Sequence, residues 1–163
     1  MDIIKSSRHQ KIIGNFGESI ICNWLSRSGF EVAIVDHTGI DIVAYKPSTG
    51  QRLGITVKSR TRSVGSEKSS VTIFSNRNNK NDREKLLNAC RAFNCEPWIA
   101  VYVEATDGAD VYLTSLKNYD LNYRRIGKTI EDWKMTPKER EIYSLDTAVN
   151  HIRIKFEEKN WVW

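Results

Sequence analysis

Asp41 and Lys58 are the residues of this chain whose types and spacing best suit catalysis. They lie in two runs with strand-like alternation, Gly39–Tyr45 and Leu53–Arg60, which flank the turn-forming segment Lys46–Gly50. Two such runs joined by a short turn predict a β-hairpin. Because residues two apart on a strand point to the same face, we expect the acid and the lysine to project together from one face of the sheet.

The register of this hairpin decides whether the two side chains meet. A two-residue loop at Ser48–Thr49 places Asp41 opposite Thr56 and makes Lys58 the diagonal neighbour of Asp41, with roughly 5–8 Å between Cβ atoms. The other face of the hairpin is apolar and is expected to be a core face, formed by Ile40, Ile42, Ala44, Leu53, Ile55 and Val57. The alternative is that the acid and the lysine form an ordinary surface ion pair.

A helix upstream of the hairpin supplies a third candidate. Residues 8–27 repeat apolar side chains at helical spacing, and Gly29 is suited to end the helix. Glu18 lies at the margin of the apolar stripe, flanked by Gly14 and Gly17, which suit a helix that approaches a sheet or a ligand closely. The alternative is that Glu18 is a solubilising residue and the glycines are incidental.

Three short motifs in this order resemble those of the PD-(D/E)XK nuclease superfamily. They are Gly14-Asn-Phe-Gly-Glu18 on a helix, Gly39-Ile-Asp41 on a strand and Thr56-Val-Lys58 on the next strand. The chain looks most similar to archaeal Holliday-junction resolvases and Mrr-type restriction endonucleases, over residues 10–105. The resemblance implies an α/β, restriction-endonuclease-like fold, with an αβββαβ core, a mixed central sheet flanked by helices and a C-terminal extension.

The resemblance also implies roles for individual residues. Asp41 would be a metal ligand, the Val57 backbone carbonyl a second ligand, and Glu18 an outer acid that binds the metal directly or through water. Lys58 would orient the attacking water or stabilise charge, so the implied catalytic residues are Glu18, Asp41 and Lys58. The implied cofactor is Mg²⁺ or Mn²⁺, since a hard cation held by oxygen ligands stabilises charge on a phosphate and lowers the pKa of water.

Thr56 departs from the superfamily pattern, which has an acid or, in some members, glutamine at this position. A neutral hydroxyl removes one negative charge from the site and is at best a weak further ligand, so we expect magnesium to bind less tightly. Glu67, in the loop after the strand, is a weaker candidate for the missing acid.

The formal net charge of +5 permits binding to a polyanion such as DNA. Basic side chains follow the candidate site along the chain and are expected to contact nucleic acid: Arg60, Arg62, Lys68, Arg77, Lys80 and Arg83. Each phosphate that they neutralise would steepen the salt dependence of binding. The alternative is a solvated loop and helix face.

Composition excludes several other classes of protein. A chain of 163 residues with 40% hydrophobic and 28% charged residues suits one globular domain. No apolar stretch approaches the roughly 20 residues that span a bilayer, and no secretory signal is evident, so a cytoplasmic location is expected. Three cysteines and three scattered histidines suit neither a disulfide framework nor a zinc site.

We divide the chain into a nuclease-like core, residues 1–116, and a C-terminal extension, residues 117–163, packed on the core within a single domain. Further strands are predicted in the core at 30–35, 71–74, 97–103 and 109–114, with a helix at 82–93. The extension is predicted to contain a short helix that begins at Thr136 and a strand at 151–156. Its large apolar side chains favour packing on the core, with a homodimer contact or stacking on bases as alternatives: Trp133, Trp161 and Trp163.

Three functions are consistent with the sequence. The first is a divalent-metal-dependent DNA endonuclease that hydrolyses phosphodiesters, with branched or structured duplex as a candidate substrate. The second is a nuclease-fold DNA-binding protein in which Thr56 marks the loss of cleavage. The third is an α/β interaction protein without enzymatic activity, in which Asp41 and Lys58 form a structural ion pair.

Overall fold

The computed structural model describes residues 2–127, 129–158 and 160–161, so Trp163 lies outside the described residues. Within them the chain forms four α-helices and eight β-strands. In chain order these are α1 His9–Arg27, β1 Glu31–His37, β2 Ile40–Lys46, β3 Gln51–Thr61, β4 Val71–Ser75, α2 Asp82–Ala92, β5 Glu96–Ala105, β6 Gly108–Ser115, α3 Leu116–Asn122, β7 Ile130–Trp133, α4 Pro137–Leu145 and β8 Val149–Lys155.

A six-stranded mixed sheet forms the centre of the molecule. Its strand order is β1-β2-β3-β5-β6-β8, and β3 and β5 are its only parallel neighbours among the described strands. Parallel neighbours require a crossover, and here the crossover contains α2. The order α1-β1-β2-β3-α2-β5 confirms the expected αβββαβ core, with the short strand β4 inserted before α2.

Helix α1 covers one face of this sheet, because its apolar stripe is complementary to the apolar face of the hairpin. Ile21 and Leu25 pack in one cluster with Ile42 and Ile55. The helix lies so close that a Cβ on Gly17 would be 2.0 Å from the Ser59 Oγ. Gly17 therefore allows the close approach of helix and sheet that the sequence predicted. Gly14 does not, since a Cβ on it would meet no heavy atom within 4 Å.

Helix α2 covers the opposite face of β2 and β3. A Cβ on Gly54 would lie 2.6 Å from the Cys90 Sγ, and Leu86 is fully buried in the same cluster. Ile40 also belongs to this cluster, so the expectation that it shares the face of Ile42 is wrong. The physical reason is local, because the register of β1 and β2 shifts just where β2 begins.

The chain beyond residue 116 adds one strand to the main sheet and one strand to a second, smaller sheet. β8 pairs with β6 at the edge of the main sheet, and β7 pairs with β4 in a separate two-stranded sheet. Trp133 is fully buried among the rings of Tyr112, Tyr119 and Tyr143. Trp161, in contrast, is 82% exposed, so the expectation that it packs on the core is not met.

The predicted helix near Thr136 and the predicted late strand both form, as α4 and β8, whereas α3 and β7 were not predicted. Within the described part of the chain, no helix combines the length and apolar composition needed to cross a bilayer.

Candidate active site

Strands β2 and β3 form the hairpin that holds the candidate pair. Lys46 lies opposite Gln51, and Ile42 lies opposite Ile55, which is the predicted register. The turn is longer than predicted, because pairing stops at Lys46 and Gln51 and the turn comprises Pro47–Gly50. The Gly50 N–H closes it by donating to the Lys46 carbonyl at 2.8 Å.

The Asp41 carboxylate lies where the hydrogen-bonded ladder between β2 and β3 ends. Its Oδ2 accepts a hydrogen bond from the Val57 N–H at 2.6 Å and another from the Thr56 hydroxyl at 3.3 Å. The carboxylate thus replaces the backbone acceptor that Val57 would have had in a longer ladder. Its other oxygen, Oδ1, accepts no hydrogen bond from a described residue.

Asp41, Thr56 and Lys58 line one cavity of about 180 Å³. Thr56 is only 6% exposed, and its hydroxyl is committed to Asp41. Lys58 makes neither a hydrogen bond nor an ion pair with any described residue. The ion pair between Asp41 and Lys58 that the non-enzymatic alternative requires is therefore absent from the described structure.

Glu18 approaches Asp41 from α1 and is not among the residues that line the cavity. Burial raises the pKa of the Glu18 carboxyl, and the negative charge of Asp41 raises it further. The two carboxylates are therefore close enough to repel each other, and neither is in an ion pair with a described cation.

The oxygen donors present can be compared with those that a divalent cation requires. Asp41 and Glu18 are carboxylates, and the Thr56 hydroxyl adds a neutral oxygen. The N–H and C=O of a strand residue face the same neighbouring strand, so the Val57 carbonyl is directed to the side on which Asp41 lies. Hard cations prefer such oxygen ligands, and a cation would relieve the repulsion between the two carboxylates.

This donor set therefore fits a divalent cation, but with less negative charge than three carboxylates would supply. Among the described residues, no group of three or more His, Cys, Asp or Glu side chains is placed to hold a metal. Glu67 does not supply a further ligand, since it is absent from the cavity lining and its carboxylate accepts the Gly65 N–H at 3.0 Å.

Two of the predicted DNA-contacting arginines instead make structural contacts within the fold. The Arg62 guanidinium donates to the Ser69 and Ser70 carbonyls at 3.1 and 2.7 Å, and burial lowers its pKa, as do the charges of nearby arginines. Arg83 bonds to Asp120 and Glu131 at 2.6 and 2.8 Å. Their charges are committed inside the fold.

The other predicted contacts are more accessible. Arg60 is half-buried, and its guanidinium donates to the Ser59 carbonyl at 2.7 Å. Lys68, Arg77 and Lys80 are exposed, and their side chains bond to no described residue. These four side chains are the ones that remain suited to contact phosphates.

Sequence reasoning missed Asp82 and did not place the basic residue Lys85 in the cavity; both come from the first turn of α2. The sequence offered Asp82 only as the first residue of the predicted helix at 82–93. The Asp82 carboxylate accepts the Ser75 N–H at 3.0 Å.

Comparison with known proteins bears on the fold that holds these residues. No family model matches the chain, and no curated protein matches its sequence. Among solved structures it is similar to Archaeoglobus fulgidus Hjc, a Holliday junction resolvase from an archaeal hyperthermophile. The match has a TM-score of 0.53 and 18% identity, and it covers 79% of this chain and 88% of that one.

The chain therefore shares the overall fold of this resolvase. This confirms the fold that the three motifs implied, and 18% identity establishes no more than the fold. In this fold Asp41 and Lys58 line one cavity, and their catalytic roles stay predictions.

Proposed function

We propose that this protein is a divalent-metal-dependent DNA endonuclease. The observation that carries the proposal is the cavity lined by Asp41, Thr56 and Lys58 in a nuclease fold. The similar solved structure is a Holliday junction resolvase, which makes branched duplex the first substrate to test. A cytoplasmic location and a homodimer stay predictions.

In the proposed reaction, one set of residues would bind the metal and Lys58 would act on the water or the phosphate. Asp41, the Val57 carbonyl and Glu18 would hold Mg²⁺ or Mn²⁺, which supplies a Lewis acid for the phosphate and acidifies water. The Val57 N–H fixes the orientation of the Asp41 carboxylate and leaves Oδ1 available. Because no described carboxylate neutralises Lys58, its ammonium is available to orient the attacking water or to stabilise charge on the phosphate.

DNA would reach this cavity along a basic surface. The predicted contacts that remain accessible are Arg60, Lys68, Arg77 and Lys80, and none of their positive charges is paired with a described acid. Phosphate contacts of this kind position a duplex without reading its sequence, and they weaken as salt concentration rises.

A catalytically degenerate DNA-binding protein is the second candidate, and Thr56 is the observation that favours it. Its hydroxyl donates to Asp41 in the position where related nucleases have an acid or glutamine, so the site lacks one negative charge. Such a protein would bind DNA in a salt-dependent manner without cleaving it.

Cleavage assays with Mg²⁺ and Mn²⁺ on linear, branched and single-stranded DNA separate the two candidates. The endonuclease proposal expects nicking by wild type that Asp41→Ala and Lys58→Ala abolish while DNA binding persists. Asp36→Asn, a change at an exposed acid of β1, is the control and should cleave like wild type. Cleavage that appears only in Thr56→Glu would identify a degenerate nuclease.

A further inference from the structure

The cavity at Asp41 contains a second carboxylate from a different element of the fold. Asp82 and Lys85, in the first turn of α2, line it together with Asp41, Thr56 and Lys58. Asp82 is three places N-terminal to Lys85, and its Oδ1 lies 3.7 Å from the Lys85 Nζ. The acidic oxygens of this cavity therefore come from both the strand and the helix that covers it.

The two carboxylates are held in the same way. Asp41 Oδ2 accepts a backbone N–H from Val57 at 2.6 Å, and Asp82 Oδ2 accepts one from Ser75 at 3.0 Å. Asp41 Oδ1 accepts no hydrogen bond from a described residue, and Asp82 Oδ1 has only the Lys85 ammonium beside it, at 3.7 Å. Metal-ligating carboxylates are usually oriented by such a hydrogen bond to one oxygen, which leaves the other oxygen for the cation.

The position of Asp82 relative to Asp41 is fixed by close packing on both sides. Gly39, two residues before Asp41, touches the backbone of α2, since a Cβ there would lie 2.3 Å from the Lys85 carbonyl oxygen. Arg83 anchors the same helical turn through Asp120 and Glu131, and its guanidinium lies 5.0 Å from the ring centre of Phe74, another residue of the cavity. The first turn of α2 cannot shift without disturbing both contacts.

We propose that Asp82 supplies the carboxylate that Thr56 lacks and shares the divalent cation with Asp41, while Glu18 acts as the outer acid through water. The assignment rests on the proposed endonuclease function. It explains why a neutral residue can occupy position 56 on β3, because Asp82 on α2 supplies the negative charge instead. Lys85 then lies beside the ligand, where its ammonium can contact the phosphate.

Manganese binding to the full chain tests the assignment apart from cleavage. Free Mn²⁺ is titrated by electron paramagnetic resonance with wild type, Asp82→Asn, Asp41→Asn and Glu84→Gln. Asp82→Asn keeps an oxygen that can accept the Ser75 N–H. Glu84→Gln removes an equal charge from the same helical turn but at an exposed side chain, so it is the matched control.

We expect Asp82→Asn and Asp41→Asn each to weaken Mn²⁺ binding by at least about tenfold. Glu84→Gln should change it by less than about twofold, since exposed charges contribute little. Asp82→Ser, whose hydroxyl can also accept the Ser75 N–H, should lose affinity in the same way and decides the matter if Asp82→Asn does not fold.

The outcomes separate this assignment from the proposed function. If wild type binds Mn²⁺ and cleaves DNA, Asp41→Asn does neither, and the Asp82 variants match Glu84→Gln in both assays, the assignment is wrong and the endonuclease stands. If wild type neither binds Mn²⁺ nor cleaves DNA, the proposed function fails and the assignment fails with it.

Discussion

Substitution of Gly39 by alanine is expected to disturb the active site through the backbone of α2. Gly39 has φ +105°, and a Cβ on it would lie 2.3 Å from the Lys85 carbonyl oxygen and 2.4 Å from its carbonyl carbon. Both obstacles are backbone atoms, so no side-chain rotation can relieve the contact. Either the turn between β1 and β2 or the first turn of α2 must move.

The free-energy cost has two parts. An L-residue at such a positive φ costs about 1–2 kcal/mol relative to glycine. Forcing extra volume into a packed contact adds about 1–3 kcal/mol. We therefore expect Gly39→Ala to lower the free energy of unfolding by about 2–5 kcal/mol.

Gly29→Ala is the matched control, because Gly29 also has a positive φ, +85°, but a Cβ there would meet nothing within 4 Å. It should lose only the conformational part, about 1–2 kcal/mol. Urea unfolding of both variants measures the difference, which we expect to be about 1–3 kcal/mol. Equal losses in the two variants would show that α2 does not rest on Gly39 and would refute the reasoning.

Two further predictions concern the charged groups around the site. Arg83→Ala leaves the Glu131 side chain, only 1% exposed, with one cation fewer, and should cost about 3 kcal/mol in urea unfolding, whereas Arg91→Ala at a largely exposed side chain should cost much less. A loss no larger than that of Arg91→Ala would contradict this. Because the folded pKa of Glu18 is raised by burial and by Asp41, protonated Glu18 stabilises the fold below its ordinary pKa near 4.5, and this contribution is lost as pH rises through the raised pKa. Glu18→Gln should therefore be more stable than wild type at pH 7 without metal, with a smaller difference at pH 4, and a difference that does not change with pH would contradict the assigned cause.

The sequence predicted the parts of the fold that depend on local pattern. The apolar stripe of α1 and the alternation of β2 and β3 are periodic signals, and both elements and their register were found. β7 is a four-residue strand that contains Glu131 and Asp132, and it exists because β4 pairs with it. A pairing partner so distant in sequence leaves no periodic signal in so short a segment.

The candidate site was predictable only where the motifs lie on paired strands. Hairpin register brings Asp41 to Thr56 and makes Lys58 its diagonal neighbour, the helical stripe points to Glu18, and the family resemblance added the roles of these residues. Asp82 could not be found in this way, because its place depends on how α2 packs against the turn at Gly39. The same limit applies to the basic residues, since no local pattern distinguishes an arginine committed to buried acids from one exposed to solvent.

Incubation of wild type and Asp41→Asn with a four-way DNA junction in the presence of Mn²⁺ tests the central claim most directly. The proposed mechanism predicts that wild type nicks the junction and that Asp41→Asn binds it with similar salt dependence but leaves it intact. An intact junction after incubation with wild type, or equal nicking by the two proteins, would contradict the assignment of this cavity as a nuclease site.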